Sequence, residues 1–305
     1  MSNKAIVSTL PEPIRQARQA TLDSLSSANS KRAYARDIDA YFSWAQARGL
    51  PPFNLATLES YKADLLKNSK SAHTVNRYLV SIRALLKKFG QLFPEAREQA
   101  EIASEVSNVK QFGQAVGTRL SLQEAQAIVD APAKDTLAGL RDRALLAVLF
   151  GCLLRRQEIV DLHWSQLRQV DGHWCFVDIR GKGNRVRTVK VEAWVYRRLM
   201  EYAESAALDT NGEGCVFVRL GKGDRVIGEQ ITTQAVYRAL KRYAPDISPH
   251  DARRTGAHLA RKHGAPLEQI QHTLGHASIV TTERYTAMPI DLDNSATGYI
   301  GLSGR

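Results

Sequence analysis

Cysteine is scarce in this chain of 305 residues: Cys152, Cys175 and Cys215 stand far apart, with no Cys-x-x-Cys or close Cys/His spacing. That pattern excludes a disulfide framework and a zinc-finger reading, and it fits a reducing compartment. Long apolar runs are missing as well. No segment approaches the roughly 18 consecutive apolar residues of a membrane-spanning helix, and the opening MSNKAIVSTLPEPIRQARQ has no apolar stretch followed by a cleavage site. The sequence therefore reads as neither exported nor membrane-spanning, with the cytoplasm as the expected location. Internal repeats and low-complexity tracts are absent too. Negative charge is in short supply, with 31 Asp and Glu against 42 Lys and Arg, a net charge of +11 and a pI near 9.7.

A surplus of that size implies an anionic partner, nucleic acid ahead of an anionic membrane surface. It is spread along the chain: residues 1–117 carry 16 basic against 10 acidic side chains, and the remainder 26 against 21. Length and a hydrophobic content of 44% favour two domains, each with its own core. Residues 1–21, with Pro11 and Pro13, read as a loosely ordered lead-in. Residues 22–107 read as helical. In KRAYARDIDAYFSWAQARG the residues Tyr34, Ile38, Tyr41, Phe42 and Ala45 share one helix face, and Gly49 with Pro51 and Pro52 ends the run. SAHTVNRYLVSIRALLKKFG places Val75, Leu79, Ile82, Leu86 and Phe89 on one side, while Thr74, Asn76, Arg77, Arg83, Lys87 and Lys88 form a polar, basic outer face suited to a DNA groove. The alternative is a merely solvated face.

Residues 108–118, NVKQFGQAVGT, read as a linker. The next segment, 119–290, opens on a capping box at Ser121 and Glu124. AGLRDRALLAVLFGCLLRRQEIVDL is helical and broken near Gly151. HWCFVDIR and RVRTVKV then flank Gly181-Lys-Gly-Asn184 as a hairpin, helices return near Glu192, and CVFVRL suggests another short strand. The fold class expected from this order is mainly α with a small antiparallel β-sheet.

Several spaced groups share a chemistry. Arg155 lies one helical turn before Glu158, and a guanidinium gives bidentate hydrogen bonds to phosphate oxygens while staying charged. Taken alone, an arginine in RRQE is more often a surface or ion-paired residue. Lys182 sits on the hairpin turn, where an ammonium can deliver a proton; Arg185 competes with it for that role. His250 and Arg253 in SPHDARR share a helix face. His276 follows Gly275, and Tyr285 comes nine residues after His276. A phenol is a poor nucleophile when free, so a tyrosine collected with cations suits attack on an anionic centre.

Together these motifs, in this order, resemble the tyrosine recombinases, the phage integrase and Xer family, over about residues 22–290. Phe150-Gly-Cys-Leu-Leu-Arg155-Arg-Gln-Glu158-Ile is similar to that family's Gly-Leu-Arg-x-x-Glu-Leu box, although Leu153 stands where the family usually has glycine, which leaves Arg156 as a competing register. The resemblance implies that Arg155 and Arg253 clamp the scissile phosphate with His276, that His250 assists by proton relay or hydrogen bonding, that Lys182 protonates the departing 5′ oxygen, and that Tyr285 is the nucleophile. A 3′-phosphotyrosine intermediate and a Holliday junction follow, with no metal, nucleotide or other cofactor; the matched motifs hold no carboxylate cluster of the kind two-metal nucleases need. Arg254 is read as a surface or DNA-backbone residue. The family likeness further implies a two-domain C-shaped clamp, specific double-stranded core sites, a homotetramer (or a heterotetramer with a related recombinase) and association with the nucleoid; separately, Tyr299, Ile300 and Leu302 in the C-terminal tail, 291–305, are apolar residues able to dock on a neighbouring protomer. Two rival readings are a type IB topoisomerase, which uses the same nucleophile, and a DNA-binding accessory protein without catalysis.

Overall fold

The computed structural model describes residues 10–68, 70–110, 119–181, 185–276 and 278–286, and for Arg284 and Tyr285 the backbone alone. Lys182, most of the expected linker and the C-terminal tail lie outside the described residues. The chain divides into two compact units, Met1–Ala115 and Val116–Arg305.

The first unit is helical: α1 (Glu12–Asp23), α2 (Ala28–Gln46), α3 (Leu55–Lys67), α4 (Ala72–Leu92) and α5 (Arg97–Ser104). The stretch expected as a loose lead-in contains α1. Its prolines flank and open the helix, Pro11 at the N-cap and Pro13 in the first turn, where no intrahelical donor is lost. Ile14, Ala17, Thr21 and Leu22, at three- and four-residue spacing, bury the inner face. Asn54 and Ser71 cap α3 and α4 through their side chains, and Gly49 ends the α2 region with a φ of 64°. Ile38, Tyr41, Phe42, Leu58, Tyr61, Val75, Leu79, Ile82 and Leu86 build the core.

The second unit begins with α6 (Leu122–Asp130), opened by the expected Ser121/Glu124 capping box, and α7 (Leu137–Gly151), buried on every side from Asp142 to Phe150. At Gly151, the last residue of α7, a Cβ would lie 2.7 Å from Val195 and 2.8 Å from Trp194, so glycine lets α7 pack closely against those side chains. The chain then passes through the short α8 (Arg156–Val160) into an antiparallel sheet of β1 (Leu167–Val170), β2 (His173–Arg180) and β3 (Val186–Lys190), in the order β1-β2-β3. Next come α9 (Ala193–Ser205) and an antiparallel pair, β4 (Val218–Leu220) and β5 (Val226–Gln230). Four helices close the unit: α10 (Thr233–Tyr243), α11 (Pro249–Lys262), α12 (Leu267–Leu274) and α13 (Ile279–Thr286). β1 and β5 were not expected; both are polar and largely exposed, so neither shows the apolar alternation that marks a strand. No helix among the described residues is long and apolar enough to cross a membrane.

Candidate active site

The site assembles on α8, β3, α11 and the turn after α12. Arg155 is the N-cap of α8, and its register is settled by Glu158. The Arg155 amide donates to Glu158 Oε2 at 2.8 Å and its Nη1 to Oε1 at 2.7 Å. Arg156 is exposed and lies over the Tyr237 ring instead, so it is Arg155 that enters the cluster. Leu153, in place of the usual glycine, has a φ of 52°, a left-handed conformation that glycine adopts without strain. Its side chain is buried with Ala257, Ile270 and Leu274. Gly256 on α11 makes the room: a Cβ there would stand 2.4 Å from Leu153 Cδ2 and 2.5 Å from the Phe150 carbonyl oxygen.

The helix α11 starts on a full capping box. Ser248 Oγ accepts from the Asp251 amide at 3.2 Å, and Asp251 Oδ2 accepts from the Ser248 amide at 3.1 Å. Ser248 is the cap, and His250 follows in the first turn. Arg253, one turn on, is buried at 3% exposure and donates to the carbonyls of Leu153 and Leu274, with Nη1 3.6 Å from Glu158 Oε2. Gly275 ends α12 in a left-handed turn, φ 62°, that throws His276 back toward the cluster. His276 Nδ1 is 3.0 Å from Thr282 Oγ1 on α13, and its amide bonds Gln271 O at 3.2 Å. Tyr285 lies in α13, one turn beyond Thr282; Thr282 and Thr286 are buried, which fixes the helix that carries it.

Arg187 belongs to the site and was not anticipated. It donates from Nη1 and Nη2 to the two oxygens of Glu158, at 3.1 and 2.7 Å, and from Nε to Thr273 O at 2.8 Å. One sign of it was present in RVRTVKV. Val189 and Val191 point inward, so period-two alternation puts Arg187 inward as well, and a charge at a core-facing position must be paired. Arg155, Arg187 and Arg253 thus surround a single carboxylate.

The electrostatics follow. Burial alone would push the Glu158 carboxyl up, but hydrogen bonds from Arg187 and from the Arg155 amide outweigh it and hold the group at about 2. Burial, then the charges of Arg253 and Arg155, push His276 down to about 4, and His250 is lowered by burial and by Arg254 and Arg253. Both imidazoles are therefore neutral near pH 7. A cleft of about 340 Å³ opens beside His276, lined also by Gly181, Arg185, Arg187, Glu268 and His272. Arg185 is exposed at the base of the hairpin, where Gly181 N bonds Arg185 O at 2.8 Å, and Arg254 lies within electrostatic reach of Arg119 and His250.

The first unit treats its expected DNA contacts differently. Asn76 exchanges two hydrogen bonds with the Val109 backbone, at 3.0 and 2.8 Å. Arg77 pairs with the buried Asp37, and Arg83 donates to Val106 O and, at 2.8 Å, to Asn108. Thr74 Oγ1 meets Ser71 Oγ at 2.9 Å. Lys87 is exposed beside a groove between α4 and α5.

Three arginines thus gather around Glu158 on a mixed helical and β scaffold, and comparison with known proteins gives the class, DNA breaking-and-rejoining enzymes. The chain belongs to the phage integrase family, the tyrosine recombinases: the family model "Phage integrase family" matches residues 118–289, and "Phage integrase, N-terminal SAM-like domain" matches residues 21–93. It is similar to the tyrosine recombinase XerD of Pseudomonas aeruginosa, 30% identical over 273 residues that cover 85% of this chain and 86% of that protein. It is also similar to the XerD of Ralstonia nicotianae, 32% identical over 271 residues covering 85% and 83%. In fold it resembles the XerH recombinase bound to a palindromic difH substrate (TM-score 0.68, 19% identity, 94% of this chain and 82% of that one). A lambda integrase dimer on a COC′ core site is similar as well (TM-score 0.65, 15% identity, 92% and 79%). The relatives are recombinases that perform site-specific recombination, and the same activity is assigned to this chain; neither the topoisomerase nor the non-catalytic reading is favoured.

Proposed function

We propose that this recombinase cuts DNA with Tyr285, forming a 3′-phosphotyrosine bond, and rejoins strands through a Holliday junction. Arg155, Arg253 and His276 hold the non-bridging oxygens of the scissile phosphate. Thr282 donates its hydroxyl to His276 Nδ1, which leaves the Nε2 proton for the phosphate. Tyr285 attacks in line, the neutral His250 takes the phenol proton, and the bond to the 5′ oxygen breaks as Lys182 protonates that oxygen. Because the phosphodiester is conserved as a phosphotyrosine, the 5′ hydroxyl of another strand reverses the step and completes the exchange. The observation that carries this reading is three guanidinium groups around one carboxylate, beside a histidine held neutral, in the segment that leads directly into the helix of Tyr285.

The partner is double-stranded DNA carrying specific core sites, bound by a homotetramer or by a heterotetramer with a related recombinase, in the cytoplasm at the nucleoid. Exposed cations, Lys87 on the helical unit and Arg185 beside the cleft, meet backbone phosphates, as does Arg254, so affinity falls steeply with salt. Both units contact DNA, and the second also carries the chemistry. The test is a covalent protein–DNA adduct trapped on a nicked duplex site: the native chain forms it and Tyr285→Phe does not. An adduct that survives the substitution refutes the assignment of the nucleophile.

A further inference from the structure

We propose that Arg187 is a positioning residue for the cleavage step, a rigid three-point tie that fixes Glu158 and the His276 turn so that Arg155 and His276 face one phosphate. The inference rests on the phosphotyrosine reading above. Arg187 reaches both carboxylate oxygens of Glu158 and, through its third donor, the carbonyl of Thr273, three residues before His276. Two glycines mark how closely it is enclosed. A Cβ at Gly275 would lie 3.2 Å from Arg187 Cδ and Nη1, and one at Gly181, next to Lys182, would lie 3.3 Å from Nη1. One side chain thus touches the clamp carboxylate, the base of the hairpin and the turn before His276.

A purely stabilising role accounts poorly for this arrangement. A buried ion pair contributes little net stability against an apolar residue of similar size, because both charges lose their hydration. The fork geometry does what an apolar residue cannot. It sets the plane of the Glu158 carboxylate, whose Oε1 in turn receives Arg155 Nη1 at 2.7 Å. It also occupies Glu158, so that Arg253, 3.6 Å away, stays on the Leu153 and Leu274 carbonyls. Without Arg187, Glu158 would draw Arg253 toward itself and away from the phosphate position.

The test uses the full chain and a duplex selected from a random-sequence library by binding to it, with affinity and the rate of adduct formation read on the same DNA. Arg187→Met is expected to slow the adduct about 100-fold, the scale of a clamp displaced by about 1 Å, while affinity holds. Arg187→Lys, which restores the charge but not the fork, is expected to recover part of the rate. If Arg187 acts through Glu158, the double variant Glu158→Gln/Arg187→Met is no slower than Arg187→Met alone. Should Arg187→Met fail to fold, the double variant, which buries no unpaired carboxylate, is compared with Glu158→Gln and is slower, because it alone loses the tie to Thr273; equal rates overturn that part of the proposal. Native rates in Arg187→Met, losses that multiply in the double variant, or a lysine no better than methionine overturn the proposal. If the unsubstituted chain forms no adduct, the phosphotyrosine reading falls and takes this inference with it.

Discussion

The two units handle the same residue type in opposite ways. Among the described residues of the helical unit, each of the two buried aspartates rests mainly on one arginine: Arg18 holds Asp39 by two hydrogen bonds, at 2.7 and 2.8 Å, and Arg77 holds Asp37, with the exposed Arg36 3.8 Å from it. Charge there is balanced locally and serves packing between helices. In the following unit three arginines crowd one glutamate, and the local surplus is positive. A net charge of +11 says nothing of this difference. Arginines tied to nearby aspartates build a scaffold, whereas arginines gathered around a single carboxylate leave a positive field that favours an anion.

Substitutions can break that comparison. The largest effect is expected at Arg253: its replacement by alanine removes a phosphate donor and slows adduct formation by about 100- to 1000-fold, with DNA affinity changed far less. A parallel loss of affinity and rate would make Arg253 a binding residue instead. Next is Arg77→Met, which leaves the buried Asp37 with Ser81 at 3.2 Å and costs the helical unit about 1–3 kcal/mol in denaturant unfolding. Under folding conditions the adduct chemistry is retained. Unchanged stability together with weaker DNA binding would mean that Arg77 reads DNA, and the contrast between the units would fail.

The smallest effect concerns pH. His250, His258 and His276 all have folded values below the ordinary 6.5, chiefly through burial. The unfolded chain therefore takes up protons before the folded one does. Stability is complete above the unfolded value and declines as pH falls from about 6.5 toward 5, a window that lies above the Glu158 transition. His276→Asn should flatten the fall of the melting temperature across that window, and an unaltered slope would show that His276 is not held neutral by folding.

How much of this was legible in the sequence depends on the kind of force involved. Long helices with an apolar stripe could be read off directly: α2, α4 and the Ser121 cap follow from spacing alone. The helix α1 was hidden by prolines that look like breakers but sit where a first turn tolerates them. Among site residues, Arg155, His250, Arg253 and His276 could be named because motif order places them, and the structure brings their segments together. Arg155 was preferred over Arg156 because Glu158 follows it by three residues, and the fold pairs the two, Arg155 Nη1 donating to Glu158 Oε1 at 2.7 Å. Asn76, Arg77 and Arg83 looked like a solvent-facing basic stripe, yet their partners are Val109, Asp37 and Val106, distant in sequence and silent in any local pattern. Arg187 left a trace in the strand alternation, but only pairing with Glu158 explains it.

Leu153 and Gly256 carry a consequence for how such a site can change. Leucine at 153 needs the bare backbone of Gly256 beside it, and glycine at 153 alone would leave a void among Ala257, Ile270 and Leu274. A side chain at 256 alone would strike both Leu153 and the Phe150 carbonyl oxygen. Each position makes the other's single change costly, so the pair behaves as one heritable unit. A chimaera that takes residues 150–158 from one recombinase and α11 from another must inherit both positions from the same parent.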